Sequence, residues 1–241
     1  LYNKMSIDEI CNKYDIKDYT INDDGSIDVY ESVDLSDFGL TEFPLIFNKV
    51  SRNFFCRKNK LTDLKGSPIS VGGLFDCNTN RLTSLSGSPE LVGDGFDCSY
   101  NNLTNLKGGP KFVAGKFYCQ NNKLTSLSGS PESVGESFIC NGNKLTDLKG
   151  CPKSIGKDFW CVSNNIKSLE GCCDDLKSGL HLNNNPIGSM FNVIYIDVIK
   201  TFNTFKVLKE GVINLKRLRY FTEMFDINVD IENIKKHYII K

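Results

Sequence analysis

The sequence predicts a solenoid: about seven short coils of one fixed length wound around a common apolar core, with a capping segment at each end. Three ladders of residues make that prediction. Leu35, Cys56, Cys77, Cys98, Cys119, Cys140 and Cys161 recur every 21 residues. Asn59, Asn80, Asn101, Asn122, Asn143, Asn164 and Asn185 keep the same step. So do Leu40, Leu61, Leu82, Leu103, Leu124, Leu145 and Ile166, with a second apolar residue three positions later, from Phe43 to Leu169. A single self-similar period fixes the architecture before any local propensity is weighed.

Each coil can be read residue by residue. Phe54, Phe75, Phe96, Phe117, Phe138, Phe159 and Leu180 stand two positions before the cysteine ladder or its continuation. In a strand, Phe75 and Cys77 then point inward while Asp76 and Asn78 point to solvent. The ladder asparagine follows where the chain leaves the strand, and a buried amide there satisfies backbone groups that the turn would otherwise orphan. Phe38 holds that position in the first coil, which reads as a cap with relaxed rules. Gly66, Gly87, Gly108, Gly129, Gly150 and Gly171 close the turn, followed by Pro68, Pro89, Pro110, Pro131 and Pro152; Cys173 breaks that last series. Stacked strands form a parallel sheet at about 4.8 Å per coil, a rod of roughly 35 Å.

At Phe75, Cys77, Asn80, Leu82 and Leu85 the spacing resembles the leucine-rich repeat family, and the resemblance covers residues 26 to 185. The short unit with Leu-Thr-x-Leu and a following Pro is similar to repeats of secreted bacterial effectors. The unit Leu-Thr-Ser-Leu-Ser-Gly-Ser-Pro, the segment Asp23 to Val29 and the tail are more similar to leucine-rich repeat proteins encoded by tailed bacteriophages. The resemblance implies a parallel sheet on a concave face, a mostly extended convex side, and a protein partner on the concave face. It also implies a setting in the cytoplasm of an infected bacterium, where such a module binds and blocks a host protein, for instance a component of antiviral defence. Effectors with similar repeats can carry a ubiquitin-ligase domain with a nucleophilic cysteine after the solenoid. Here no cysteine follows Cys173, so that activity is not carried over.

The ends differ from the coils in charge and period, dividing the chain into residues 1–25, a helical cap; 26–185, the solenoid; and 186–241, a second helical cap. Residues 1–35 hold nine acidic against three basic residues, a net of −6. Ser6 to Tyr14 reads as a short helix with Ser6 as N-cap and Glu9 completing the capping box. Asp23-Asp24-Gly25 is a turn into the first strand. Beyond Pro186, Met190, Phe191, Ile194, Tyr195, Val198 and Phe202 predict a helix with one broad apolar stripe. A second helix is expected from Asn214, with Leu215, Leu218, Phe221, Thr222 and Phe225 inward. This tail holds nine basic and six acidic groups, net +3. Both ends cover the open edges of the rod; Lys206, Lys209, Lys216, Arg217 and Arg219 also offer a basic patch to an acidic partner.

Several function classes are set aside by what the chain lacks. The formal net charge of +0 argues against general nucleic-acid binding. No run of 18 apolar residues predicts a membrane helix and no signal peptide opens the sequence, so a cytoplasmic location is expected; Leu1 carries no functional reading. Among 10 cysteines, six share the inward ladder and are expected to be reduced packing groups, while Cys151, Cys172 and Cys173 fall in turns as the most exposed thiols. No Cys-x-x-Cys or His-Glu-x-x-His points to metal, no cofactor motif is present, and no catalytic motif stands out, so no enzyme is expected.

What remains is a surface. The outward strand column reads Phe55, Asp76, Asp97, Tyr118, Ile139, Trp160 and His181, the next Arg57, Asn78, Ser99, Gln120, Asn141, Val162 and Asn183, and beyond it lies Tyr100. Tyr118, Ile139 and Trp160, flanked by Tyr100, Val162 and His181, are large side chains that demand a cover. A partner covers them, the C-terminal helices fold back over the stripe, or it is ordinary scattered surface apolarity. Asp76 and Asp97 add an acidic end, suiting a partner with an apolar ridge and basic flanks. Two other classes are kept open: a nucleotide or small-ligand sequestering protein, and a structural component of a phage assembly.

Overall fold

A computed structural model describes residues 5–191 and 193–241 of the chain; Leu1, the rest of the first four residues of the expected N-terminal cap, and Asn192 lie outside them. The repeat builds a β-solenoid of about seven turns, and each turn contributes two short strands on opposite sides of one core. Among the described residues there are two nine-stranded sheets. One, the Phe sheet, carries Phe54–Phe55, Phe75–Asp76, Phe96–Asp97, Phe117–Tyr118, Phe138–Ile139, Phe159–Trp160 and Leu180–His181. The other, the Val sheet, carries Phe47–Val50, Ser70–Val71, Leu91–Val92, Phe112–Val113, Ser133–Val134, Ser154–Ile155 and Asp175–Leu176. Within these runs every neighbouring pair is parallel and in the 21-residue register, so Phe75 lies opposite Phe96 and Ser133 opposite Ser154.

The second sheet corrects the expected extended convex side. It arises because Val71, Val92, Val113, Val134 and Ile155 alternate with outward residues just past the proline. That is a period-2 pattern only two residues long, too short to read as a strand without its stacked neighbours.

The core is a set of repeated columns. The rings of Phe54, Phe75, Phe96, Phe117 and Phe138 stack with centroids 5.2 to 5.4 Å apart and planes within 15° of parallel. The six ladder cysteines are fully buried, and burial pushes the thiols of Cys56, Cys77, Cys98, Cys119 and Cys161 well above the ordinary range, which leaves them unreactive packing groups.

The asparagine ladder does what its chemistry predicts. Asn122 Nδ2 donates to Cys119 O at 3.2 Å in its own coil and to Cys98 O at 3.0 Å in the coil before, while its Oδ1 accepts from Leu103 N at 3.0 Å. One side chain thus satisfies three backbone groups and ties two coils together. The turn glycines have φ between 78° and 91°, and a Cβ on Gly87 would stand 2.5 Å from Leu64 C and O. Only glycine meets both the left-handed torsion and that close approach.

The caps match the expectations in part. Helix α1 (Ile7–Lys13) has Ser6 as N-cap and Glu9 closing the capping box. Asp23-Asp24-Gly25 turns the chain from strand Tyr19–Ile21 into the antiparallel strand Ile27–Val29, which begins the Val sheet. At the other end the expected helix starts later. Ile187–Ser189 is a 3₁₀ turn and Val193–Ile194 is an antiparallel strand on Leu180–His181; α2 runs only from Ile196 to Thr204. Met190, Phe191 and Ile194 are buried, but as a plug against the open end of the core. The unpaired strand edge outcompetes helical periodicity there. Helix α3 (Leu215–Met224) starts at Asn214 as expected and buries Leu218, Phe221 and Thr222. Helix α4 (Ile231–Lys235) and a small sheet of Leu208–Lys209, Val212–Ile213 and Ile239–Ile240 complete the cap. No helix among the described residues is long and apolar enough to cross a membrane.

Candidate functional site

The outward column of the Phe sheet is in strict register: Phe55, Asp76, Asp97, Tyr118, Ile139, Trp160 and His181 lie side by side on consecutive strands. Inward neighbours fix the face, because the Phe and Cys on either side of each outward residue, or Leu180 and Leu182 beside His181, are buried. Tyr118, Ile139, Trp160 and His181 are half-buried. Trp160 and His181 stack at 3.5 Å between centroids with planes 4° apart. Val162 is also half-buried, and its amide donates to Asn141 Oδ1 at 2.8 Å.

Tyr100 is placed differently. It belongs to the turn column Lys58, Thr79, Tyr100, Asn121, Gly142, Ser163 and Asn184, where every φ lies between 54° and 64°. Its side chain is 58 % exposed at the rim of the face. A bulky ring at a left-handed torsion is an uncommon choice.

The acidic end is not the solvated pair expected. Asp76 is 5 % exposed, and its Oδ1 accepts from Asn78 N at 3.0 Å and Asn78 Nδ2 at 2.8 Å. Arg57 Nη1 stands 3.7 Å from its Oδ2. Burial, with Asp97 beside it, pushes the Asp76 carboxyl up against the opposing pull of Asn78 and Arg57. Asp97 Oδ1 likewise accepts from Ser99 N at 2.9 Å. Stacked strands crowd these carboxylates together, and local donors answer their charge before any partner does.

Sequence reasoning missed Asp158. Its Oδ1 accepts from Ser178 Oγ at 2.7 Å and Gly179 N at 3.2 Å, and it lies 3.1 Å from His181 Nε2. It therefore fixes the imidazole that stacks on Trp160. Burial acts to raise this carboxyl, but the Ser178, His181 and Gly179 contacts outweigh it and hold it below the usual range. Asn53, in the same column, likewise accepts from Leu74 N at 2.9 Å, so an oxygen acceptor before the phenylalanine reaches the amide one coil on.

A second apolar group was also missed. On the Val sheet, Leu91 and Phe112 lie opposite one another and are 56 % and 45 % exposed, and Ile69, beside Leu91's partner Ser70 in sequence, is 58 % exposed. In the C-terminal cap, the basic residues expected to form a patch are partly gathered: Lys206, Lys216, Arg217 and Tyr220 line a hollow of about 710 Å³ with Thr204, Phe205 and Asn214. Arg219 lines a neighbouring hollow with Lys241, and Lys209 a third with Glu210. No group of three or more His, Cys, Asp or Glu side chains among the described residues converges as a metal site.

Comparison with protein-family models and with curated protein sequences gave no match for this chain.

Proposed function

We propose that this chain is a non-enzymatic binding module of the leucine-rich repeat type that holds a protein partner on the outward face of the Phe sheet. The observation that carries the reading is the unbroken run Tyr118, Ile139, Trp160 and His181, four large side chains in register on four consecutive strands. Rigid aromatic groups on a stiff sheet lose little entropy on binding and are the side chains from which interface hot spots are built. The Asp158 contact and the Trp160 stack fix His181 in advance, so the C-terminal end of the face is preorganised. Beside it Asn78, Ser99 and Asn141 are hydrogen-bonded within the solenoid while Gln120 Oε1 is buried without a partner, so the face acts chiefly by shape and apolar contact.

The similarity of the repeat unit to those of phage-encoded proteins supports a specific setting. In that setting the module occupies a surface of a host protein in the infected cell and blocks it, as an inhibitor of an antiviral defence component would. This step is associational, since fold does not imply function.

The test compares the wild type with two folded double variants, Tyr118→Ala/Trp160→Ala and Leu91→Ser/Phe112→Ser, in capture from bacterial lysate followed by crosslinking. A protein that is retained by the wild type and the Val-sheet variant, lost by the Phe-sheet variant and crosslinked beside Tyr118 supports the reading. Loss only with Leu91→Ser/Phe112→Ser moves the site to the other sheet.

The basic hollow at Lys206, Lys216 and Arg217 favours a second reading, in which the cap sequesters a small anionic ligand such as a nucleotide. A rise in Tm with ligand concentration, abolished by Arg217→Ala, is its signature.

A further inference from the structure

Two places outside the Phe-sheet face depart from the repeat, and they are resolved in opposite ways. In the last turns Cys151, Cys172 and Cys173 replace the serine or glycine and the proline of earlier coils. Cys151 and Cys172 are half-buried and Cys173 is 5 % exposed, so they pack into the turns and are not the surface thiols expected. On the Val sheet the departure faces solvent. Its outward column reads Lys49, Ser70, Leu91, Phe112, Ser133 and Ser154, in register on consecutive strands. Four of these are polar, and the two apolar ones, side by side in the middle, are 56 % and 45 % exposed.

The charges beside this pair are left open. Glu90 and Lys111 precede Leu91 and Phe112, and Glu132 and Lys153 repeat the same alternation two coils on. Lys153 Nζ closes an ion pair with Glu132 Oε2 at 3.8 Å, and across the sheet Lys157 Nζ pairs with Glu136 Oε1 at 2.7 Å. Glu90 and Lys111 form no ion pair with each other or with any other described residue, although Lys111 N donates to Glu90 O at 3.3 Å. One carboxylate and one ammonium thus stand unanswered next to an uncovered apolar pair. On the other flank, Gly93 and Ala114 add no bulk, so a second sheet can approach to the roughly 10 Å at which sheets pack.

We propose that this face of the Val sheet binds a second copy of the chain, the two rods lying face to face and antiparallel about a two-fold axis that runs along the strands between Leu91 and Phe112. That axis sets Leu91 against the partner's Phe112 and Phe112 against the partner's Leu91. In the neighbouring column it sets Glu90 against the partner's Lys111, and Lys111 against the partner's Glu90. The surface is therefore complementary to itself, as an isologous contact requires. The alternative axis, along the rod, sets each coil on its own copy and brings the Glu90 flank over the Asp94 flank, where like charges oppose it. At about 4.8 Å per strand and 3.3 Å per residue, seven strands five residues wide cover roughly 550 Å² on each copy, about 1,100 Å² in all. That is the low end of specific interfaces, so the dimer is expected to dissociate in the micromolar range. The Val and Phe sheets lie on opposite sides of one core, so the dimer presents two Phe-sheet faces pointing apart. Bivalent capture of a partner by those faces rests on the function proposed above; the dimer itself does not.

The test is sedimentation equilibrium of the purified full chain from about 1 to 500 µM. The wild type is expected to pass from monomer to dimer across that range. Leu91→Ser/Phe112→Ser, which installs the serine of the neighbouring coils, is expected to stay monomeric with an unchanged circular dichroism spectrum. Glu90→Lys and Lys111→Glu each set like charges against one another across the axis and are expected to weaken association by about tenfold or more. Mixed in equal amounts, these two variants are expected to recover it, because each then meets the opposite charge on the other; a folding defect would not be repaired by mixing. The proposal is overturned by a wild type that stays monomeric throughout, by a dimer that survives Leu91→Ser/Phe112→Ser, or by charge variants that associate no better mixed than alone. No partner protein is present in this measurement, so its failure leaves the Phe-sheet reading standing.

Discussion

Between Phe54 and Phe138 each coil repeats its neighbour so closely that the rings stay within 15° of parallel; beyond Phe159 the columns change almost together. Phe159 turns edge-on to Phe138 at 83°, Leu180 replaces the next ring, Cys173 replaces proline, and an antiparallel strand ends the stack. The interior coils are stabilised by being alike, because an identical neighbour guarantees a complementary surface. The last coil has to meet a different body, so its residues are chosen one by one. In a quasi-one-dimensional fold this difference has an energetic form: an interior residue belongs to two equivalent interfaces and a terminal one to a single repeat interface plus a cap.

The strongest way to break the symmetry is to empty the ring column. Phe117→Ala removes two parallel contacts, at 5.3 and 5.2 Å, and is expected to cost about 3–5 kcal/mol in urea unfolding. Phe159→Ala removes a single edge contact with Phe138 and is expected to cost about 1 kcal/mol less. Equal losses would mean that the interior stack adds nothing beyond burial.

The asparagine ladder comes next. Asn122→Leu keeps the branched shape and leaves Leu103 N, Cys98 O and Cys119 O without their partner; each unmade buried bond costs about 1–3 kcal/mol, with relaxation reducing the sum. Asn185→Leu opens the same kind of gap at Ile166 N, Cys161 O and Leu182 O, beside the cap. The interior substitution is expected to lower the cooperativity of unfolding by uncoupling the two halves of the rod, while the terminal one releases the cap first. Fluorescence of Trp160 and hydrogen exchange of the central coils separate these outcomes.

The interior was legible for the same reason that it is stable. A column repeated seven times identifies a contact without any knowledge of the turn that makes it, so the register of Phe75 with Phe96 and the role of Asn122 followed from spacing alone. The Val sheet was less visible because its two-residue strands acquire meaning only once stacked. Past Pro186 there is no repeat to compare with, and the apolar positions of Met190, Phe191 and Ile194 fit a helix as well as a plug. The outward column was legible as a list and illegible as chemistry. Asp76 looks solvated in sequence and is buried by the side chains of its neighbours, and Asp158 acts through an atom that no motif announces.

Asp76 offers a pH test of that crowding. Its folded pKa is raised, so the folded protein holds the proton to higher pH than the unfolded chain does. Stability linked to this group is present below the unfolded value of about 3.8 and is lost as pH rises through the folded value. Asp76→Asn is therefore expected to raise Tm at pH 7, by no more than about 1 kcal/mol of stability after screening, and to give no gain at pH 3. Asp158→Asn has the opposite sign: its depressed pKa gives stability above the unfolded value that is lost as pH falls through the folded one, so the substitution destabilises at pH 7. A Tm profile of both variants between pH 3 and 7 reads the two signs directly.

The smallest effect bears most directly on function. Across the seven coils the turn position with φ near 54° holds Lys58, Thr79, Tyr100, Asn121, Gly142, Ser163 and Asn184, and only Asn and Gly take this torsion cheaply. Tyr100 carries the largest side chain of this column and is 58 % exposed. If stability alone set the residue, asparagine would stand there, as it does one coil later. Tyr100→Asn is expected to stabilise the solenoid by about 0.5–1 kcal/mol in thermal unfolding, and to weaken partner binding by a measurable factor. A gain in stability with binding unchanged would remove Tyr100 from the face and narrow it to Tyr118, Ile139, Trp160 and His181. A loss of stability would show instead that the ring packs on the turn, and that the interior coils hold their odd residues for the same structural reasons as the last one.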